Sequence, residues 1–174
     1  MKKYLYHTPE AFSDLWMTGE NGVLTGLWFA GSRDSAKHSA GCADGSFADF
    51  AETVRWLDLY FTGHQPDFAP PYRVDHLTPF RREVIDRMLR IPFGATTTYG
   101  AIAKDIAHAH GIPKMSAQAV GGAVGWNPIC LIIPCHRVVG ENGSLTGYGG
   151  GLPNKIALLA LEGLDVERFS VPGK

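Results

Sequence analysis

The chain reads as an α/β N-terminal domain, a small sheet with helices, followed by a mostly α-helical C-terminal domain with a helix-turn-helix. Three observations predict this. A strand-like run at residues 23–30 and an amphipathic helix starting at Ser46 share the first 75 residues. Pro66, Pro70 and Pro71 then form an extended linker, which puts the boundary between Gly63 and His76 and the domains at 1–75 and 76–174. Beyond the linker, capped helical patterns dominate, and two of them are joined by a tight loop.

In order, residues 4–7 form a short strand, and Thr8-Pro9-Glu10 has the threonine N-cap and first-turn proline of a helix start. Val-Leu-Thr-Gly-Leu-Trp-Phe-Ala at 23–30 is a mostly buried strand, and the Gly-, Ser- and Asp-rich segment 31–45 is a loop. Phe47, Phe50, Ala51, Val54 and Leu57 recur at helical spacing up to Gly63. Thr78-Pro79 opens the next helix, with Phe80, Val84, Ile85, Met88 and Leu89 as its buried stripe. A threonine among 96–98 caps a helix carrying Ile102, Ala103, Ile106 and Ala107. After a loop at 108–113, Ser116 caps a second helix from Ala117 to about Val124. That helix is built almost entirely of small residues, Ala119, Gly121 and Gly122 among them, so its backbone can approach another surface closely. The last helix spans 155–161 and ends at Glu162-Gly163.

Composition sets the class. With 174 residues, 45% hydrophobic and 19% charged, the chain has ample core for a globular protein. No apolar run approaches the ~20 residues of a membrane span, and the N-terminus lacks the apolar stretch of a secretory signal. Cys42, Cys130 and Cys135 have neither disulfide nor zinc spacing, which suits a reducing compartment, so a cytoplasmic protein is expected. His38 and Cys42 leave too few partners for a metal site, so none is expected. The net charge of −1 divides unevenly. Residues 1–75 hold 6 Lys+Arg against 10 Asp+Glu, and residues 76–174 hold 10 against 7. The basic half is the half that can meet a polyanion.

The chemistry centres on Leu131-Ile132-Ile133-Pro134-Cys135-His136-Arg137-Val138-Val139. A buried strand stopped by Pro134 would hold Cys135 at the edge of a pocket. The neighbouring histidine and arginine would lower the thiol pKa. Cys130, within an apolar run, reads instead as a packed small hydrophobe.

Pro-Cys-His-Arg-Val, with Asn127-Pro128 before it and Gly147-Tyr148-Gly149-Gly150-Gly151-Leu152 after it, resembles the O6-alkylguanine-DNA alkyltransferases over about residues 78–163. The resemblance implies DNA repair by irreversible transfer of an alkyl group from O6-alkylguanine, with activity on O4-alkylthymine left open, to Cys135. The base would flip out of the duplex, and the protein would act once, as a suicide methyltransferase. Glu162 would orient His136, which would activate Cys135 through a water. Tyr99 would reach guanine N3, and Asn127 would brace the turn before the cysteine. Val138, Tyr148, Gly149 and Gly150 would form the base pocket. The small-residue helix, with Gln118, Ala119, Gly121 and Gly122, would lie in the minor groove, with Arg81 and Arg137 as further DNA contacts. The position of Gln118 commonly holds an arginine that fills the gap left by the flipped base, so weaker binding or slower flipping is expected here. Double-stranded DNA is the partner implied, with no cofactor and a monomeric protein.

The same residues admit three rivals, one of them a thiol switch through Cys130 and Cys135, which would have to face one another across a strand. A cysteine hydrolase usually draws its base from a separate segment, unlike the adjacent Cys135 and His136. A DNA-lesion sensor related to the alkyltransferases would lack the cysteine that is present here.

Overall fold

The computed structural model describes residues 1–38 and 41–171. Three strands, β1 (Lys2–Tyr6), β2 (Leu15–Glu20) and β3 (Val23–Phe29), and the short β4 (Ala43–Asp44) form one sheet in the order β3-β2-β1-β4. Neighbours are antiparallel except β1 and β4. The β2–β3 hairpin turns on Asn21-Gly22, both with positive φ (53° and 78°), and pairs Glu20 with Val23. Asn-Gly is the dipeptide that a tight type I′ turn favours. Leu15, Met17, Leu24, Leu27 and Phe29 are fully buried on these two strands.

The sequence expectation of a helix opening at Thr8 is corrected. Residues 8–14 form turns, because Thr8 Oγ1 donates back to the carbonyls of Phe12 (3.1 Å) and Ser13 (2.9 Å). A threonine hydroxyl used this way stabilises a turn at the expense of a helix. Strand β2 follows at once. The segment read as a loop also holds regular structure at its described residues. Arg33–Lys37 form a 3-10 turn, and β4 adds to the sheet edge.

Ser46 opens the next helical stretch, its amide and hydroxyl both donating to Asp49 Oδ2. It continues as α1 (Ala51–Tyr60), with Val54, Trp56, Leu57 and Tyr60 buried. The proline-rich stretch packs back on the sheet, where the Leu24 amide donates to the Pro71 carbonyl and the Arg73 amide to the Leu24 carbonyl.

Helix α2 (Pro79–Leu89) is capped by Thr78, whose side chain accepts from the Arg81 amide. Helix α3 (Tyr99–His110) is capped by Thr98 and stops at Gly111, which takes the left-handed conformation (φ 63°). It covers residues 108–110, which the sequence assigned to a loop. Helix α4 (Ala117–Trp126) is capped by Ser116, and α5 runs over Leu152–Leu161, one turn earlier than its sequence pattern suggested. A two-stranded parallel pair, β5 (Thr97–Thr98) and β6 (Val138–Val139), ties the start of α3 to the segment after Cys135. One hydrophobic cluster joins the sheet, α1, α2, α3, α4 and the Cys135 segment. Among the described residues, no helix is long and apolar enough to cross a membrane.

Candidate active site

The segment into Cys135 is not a strand, as its apolar run had suggested. Leu131 has a positive φ of 65° although it is a buried leucine, and the Ile132 amide bonds back to the Cys130 carbonyl at 2.7 Å. A second tight turn at Pro134 (φ −81°, ψ 67°) joins the Cys135 amide to the Ile133 carbonyl at 2.8 Å. A non-glycine residue in the left-handed region persists only where its surroundings hold it. Asn127 supplies that hold. Its Nδ2 donates to the Ile133 carbonyl (2.9 Å) and its Oδ1 accepts from the Ile129 amide (3.0 Å), clamping both ends of the loop.

Cys135, His136 and Arg137 form one 3-10 turn, and all three are buried. Burial pushes the Cys135 thiol above its ordinary range. A hydrogen bond from Asn127 and the charges of Lys37 and Lys155 pull it down, while Asp34 pushes it further up. The expectation that His136 and Arg137 would lower the thiol pKa is therefore corrected: burial is the largest influence on the thiol and its pKa is raised.

Glu162, the C-cap of α5, is buried and collects donors. Its Oε2 accepts from His136 Nε2 (2.6 Å), Tyr60 Oη (2.7 Å) and Arg137 Nη2 (3.1 Å). Its Oε1 accepts from Arg137 Nε (2.8 Å) and the Gly94 amide (3.0 Å). Burial alone would raise this carboxyl, but the hydrogen bonds and charges of His136 and Arg137 outweigh it and hold it at about 2. An ionised carboxylate only accepts, so His136 Nε2 must carry the hydrogen. Burial keeps the His136 imidazole below its ordinary pKa against the pull of Glu162. Its other nitrogen, Nδ1, is buried and has no hydrogen-bond partner among the described residues. A neutral imidazole oriented by a carboxylate, with a free lone pair one residue from a thiol, has the parts of a general base.

Arg137 does not face outward. Besides Glu162, its guanidinium donates to the Ile91 carbonyl (2.9 Å) and to Gln65 (3.1 Å), and the residue is 4% exposed. The expected DNA contact by Arg137 is thus corrected, because its donors are used in the core.

The cavity beside Cys135 is lined by Tyr99, Gly121, Tyr148 and Gly149, with Asp34 and Lys37 across it, and holds about 20 Å³. That is room for about one water and not for a base. Tyr148 is buried, its hydroxyl has no hydrogen-bond partner among the described residues, and a Cβ on Gly150 would meet the Tyr148 and Phe29 rings at 2.6 and 2.8 Å. The Val138 carbonyl already accepts from Lys155 Nζ at 2.8 Å, which leaves it one lone pair. Tyr99 is half-buried, and burial beside Cys135 pushes its phenol up to about 12.

Ala117, Gln118, Ala119, Gly122 and Gly125 make an exposed face of α4, with Gly121 half-buried against the Tyr99 ring. Arg81 stacks over Trp126 at 4.0 Å and donates to the His76 carbonyl at 3.0 Å. Among the described residues no group of three or more His, Cys, Asp or Glu could hold a metal. His38, which the sequence offered beside Cys42, stacks on Trp28 at 3.7 Å instead.

Sequence reasoning missed four site residues. Tyr60, Asp34 and Lys37 lie in the half read as scaffold, and only the fold brings Tyr60 to Glu162 and the other two to the Cys135 cavity. Lys155 was read simply as the first residue of a helix, yet it is fully buried, its amine lowered to about 8 by burial. A lysine one turn before Leu158-Leu159 on an apolar face was the available signal.

Residues 79–164 match the family model described as 6-O-methylguanine DNA methyltransferase, DNA binding domain. The chain is 47% identical over 113 residues to a methylated-DNA–protein-cysteine methyltransferase of Mycobacterium leprae, covering 65% of each protein, so it spans just under two thirds of that relative. It is 47% identical over 114 residues to the protein of that name from Methanosarcina acetivorans, covering 66% of this chain and 69% of that protein. The fold superposes on Mycobacterium tuberculosis OGT, solved in complex with DNA, with a TM-score of 0.78 at 34% identity, over 97% of this chain and 95% of that one. With 47% identity over 69% of the Methanosarcina acetivorans relative, the chain belongs to the 6-O-methylguanine DNA methyltransferase family.

Proposed function

We propose that this protein repairs O6-alkylguanine in double-stranded DNA by moving the alkyl group to its own Cys135. The observation that carries the reading is the buried relay beside the thiol. His136, the residue after Cys135, is held through Nε2 by ionised Glu162, and its buried Nδ1 has no hydrogen-bond partner among the described residues. In the proposed step, the Cys135 proton passes to His136 Nδ1 through one water. The thiolate attacks the alkyl carbon, a Sγ–C bond forms, and the C–O6 bond breaks with its electrons passing to guanine. Tyr99 delivers a proton at N3 and is reprotonated from solvent, while His136 returns to solvent the proton taken from Cys135. A thioether is a poor leaving group, so the protein acts once.

The exposed small-residue face of α4 is the proposed DNA surface, entering the minor groove with Gln118, Ala119, Gly121 and Gly122, and Arg81 beside it. The flipped base would occupy the space between Tyr148, Gly149, Gly150 and Val138 once Asp34 and Lys37 withdraw. The reading includes a monomeric, cytoplasmic protein divided at the linker into residues 1–75 and 76–174.

Intact-protein mass after incubation with a duplex carrying one O6-methylguanine tests the proposal. One methyl gained, mapped to Cys135 and lost in Cys135→Ala, supports it. No gain with DNA binding intact would overturn it in favour of a lesion-binding protein.

A further inference from the structure

Tyr60 is the last residue of α1 and is completely buried, yet its hydroxyl reaches the far domain. It donates to Glu162 Oε2 at 2.7 Å, the same oxygen that accepts from His136 Nε2 at 2.6 Å. Its 3.4 Å approach to His136 Nε2 is contact without a second hydrogen bond, because that nitrogen's hydrogen is used on Glu162. The phenol is poised only to donate. Burial and the Glu162 charge push its pKa well above the ordinary value. The ring is fixed from outside the site, stacked on Trp56 at 5.2 Å and edge-on to Phe61 and Phe93.

We propose that Tyr60 is a positioning residue of the acceptor site: its hydroxyl takes a share of the Glu162 charge and thereby sets how strongly His136 can hold the proton leaving Cys135. The inference rests on the relay proposed above. A hydrogen bond donated to a carboxylate makes that carboxylate a weaker partner for a neighbouring imidazolium. Tyr60 and His136 compete for one oxygen, so the N-terminal half tunes the basicity of a site built in the C-terminal half.

The other ionisable groups near the relay are accounted for. Arg137 binds both oxygens of Glu162, and Lys155 from α5 weakens protonation of His136. Around the thiol stand Asp34 and Lys37 from the 3-10 turn, together with Cys130, Tyr99 and Tyr148. Of all these, Tyr60 alone meets the relay through a neutral donor on the His136-bound oxygen, so its removal changes no formal charge.

The test is the pH dependence of Cys135 alkylation by iodoacetamide, followed at the Cys135 peptide by mass spectrometry. Tyr60→Phe keeps the aromatic packing and removes only the hydroxyl. The midpoint should fall by roughly half a pH unit, about threefold in rate on the acid limb. Replacing Tyr60 with 3-fluorotyrosine, a stronger donor, should move the midpoint up. Trp56→Phe disturbs the same packing and should move stability alone. In a Glu162→Gln background the Tyr60→Phe shift should vanish. A midpoint that stays put, or that moves alike in Tyr60→Phe and Trp56→Phe, overturns the proposal. Methyl transfer from O6-methylguanine duplex to the unmodified protein is measured alongside. If that transfer is absent the repair reading has failed, and if it is present while the midpoint does not move only the role of Tyr60 has failed.

Discussion

Asp34 and Gly149 close the Cys135 cavity from opposite ends of the chain. The Asp34 amide donates to the Gly149 carbonyl at 3.2 Å, and the Asp34 carboxylate lies where a Cβ on Gly149 would be. The carboxylate is itself fixed by Lys37 at 2.7 Å, and Lys37 also donates to the Asn127 carbonyl at 3.0 Å. Gly149→Ala should therefore lose about 1–3 kcal/mol through overpacking. Adding Asp34→Ala should recover most of that loss, since the collision is with one side chain. Urea unfolding of the two single variants and the double variant measures the coupling directly.

Asn127→Ala should cost more. It strands the Ile129 amide and the Ile133 carbonyl inside the protein and removes the restraint on Leu131. We expect a loss of about 2–4 kcal/mol and a transfer rate down by on the order of tenfold or more, because the turn that holds Cys135 loses its clamp. Urea unfolding and single-turnover transfer check the two effects separately. A rate unchanged in the folded variant would show that the brace does not act on the thiol.

Acid should destabilise the fold in two windows. Burial lowers His38 to about 4, so between pH 6.5 and 4 the unfolded chain binds a proton that the folded chain refuses, and stability falls. Glu162, held at about 2, adds stability that is complete above its unfolded value near 4.5 and disappears as pH falls toward 2. His136, also lowered, acts in the same sense below 6.5. Urea midpoints followed from pH 7 to pH 3 should show the upper window flatten in His38→Gln by roughly 1–2 kcal/mol, partial exposure being allowed for. The lower window should remain.

Gln118 is exposed near the start of α4. Gln118→Arg should leave stability unchanged and tighten duplex binding several-fold. It should also steepen the dependence of log K on log salt by about one, as for one added phosphate contact. Fluorescence anisotropy at three salt concentrations measures it. An unaltered slope would place position 118 away from the DNA.

Much of this protein is legible in its residues alone, because the signals are local. Thr78, Thr98 and Ser116 announce their helices through caps that act within three residues. The cysteine turn, Asn127 and the glycine-rich wall lie within about thirty residues of one another, so their association could be read along the chain. Asn21-Gly22 was equally local, and the hairpin it forms was there to be read. What only the tertiary structure decided depends on contacts between distant segments. Tyr60 meets Glu162 across 102 residues, and Asp34 meets Gly149. Arg137, which in sequence is one more cation beside a thiol, becomes a core residue because Glu162, Ile91 and Gln65 surround it. Burial is a property of the assembled fold, and it is burial that raises the Cys135 thiol pKa and leaves His136 a neutral base.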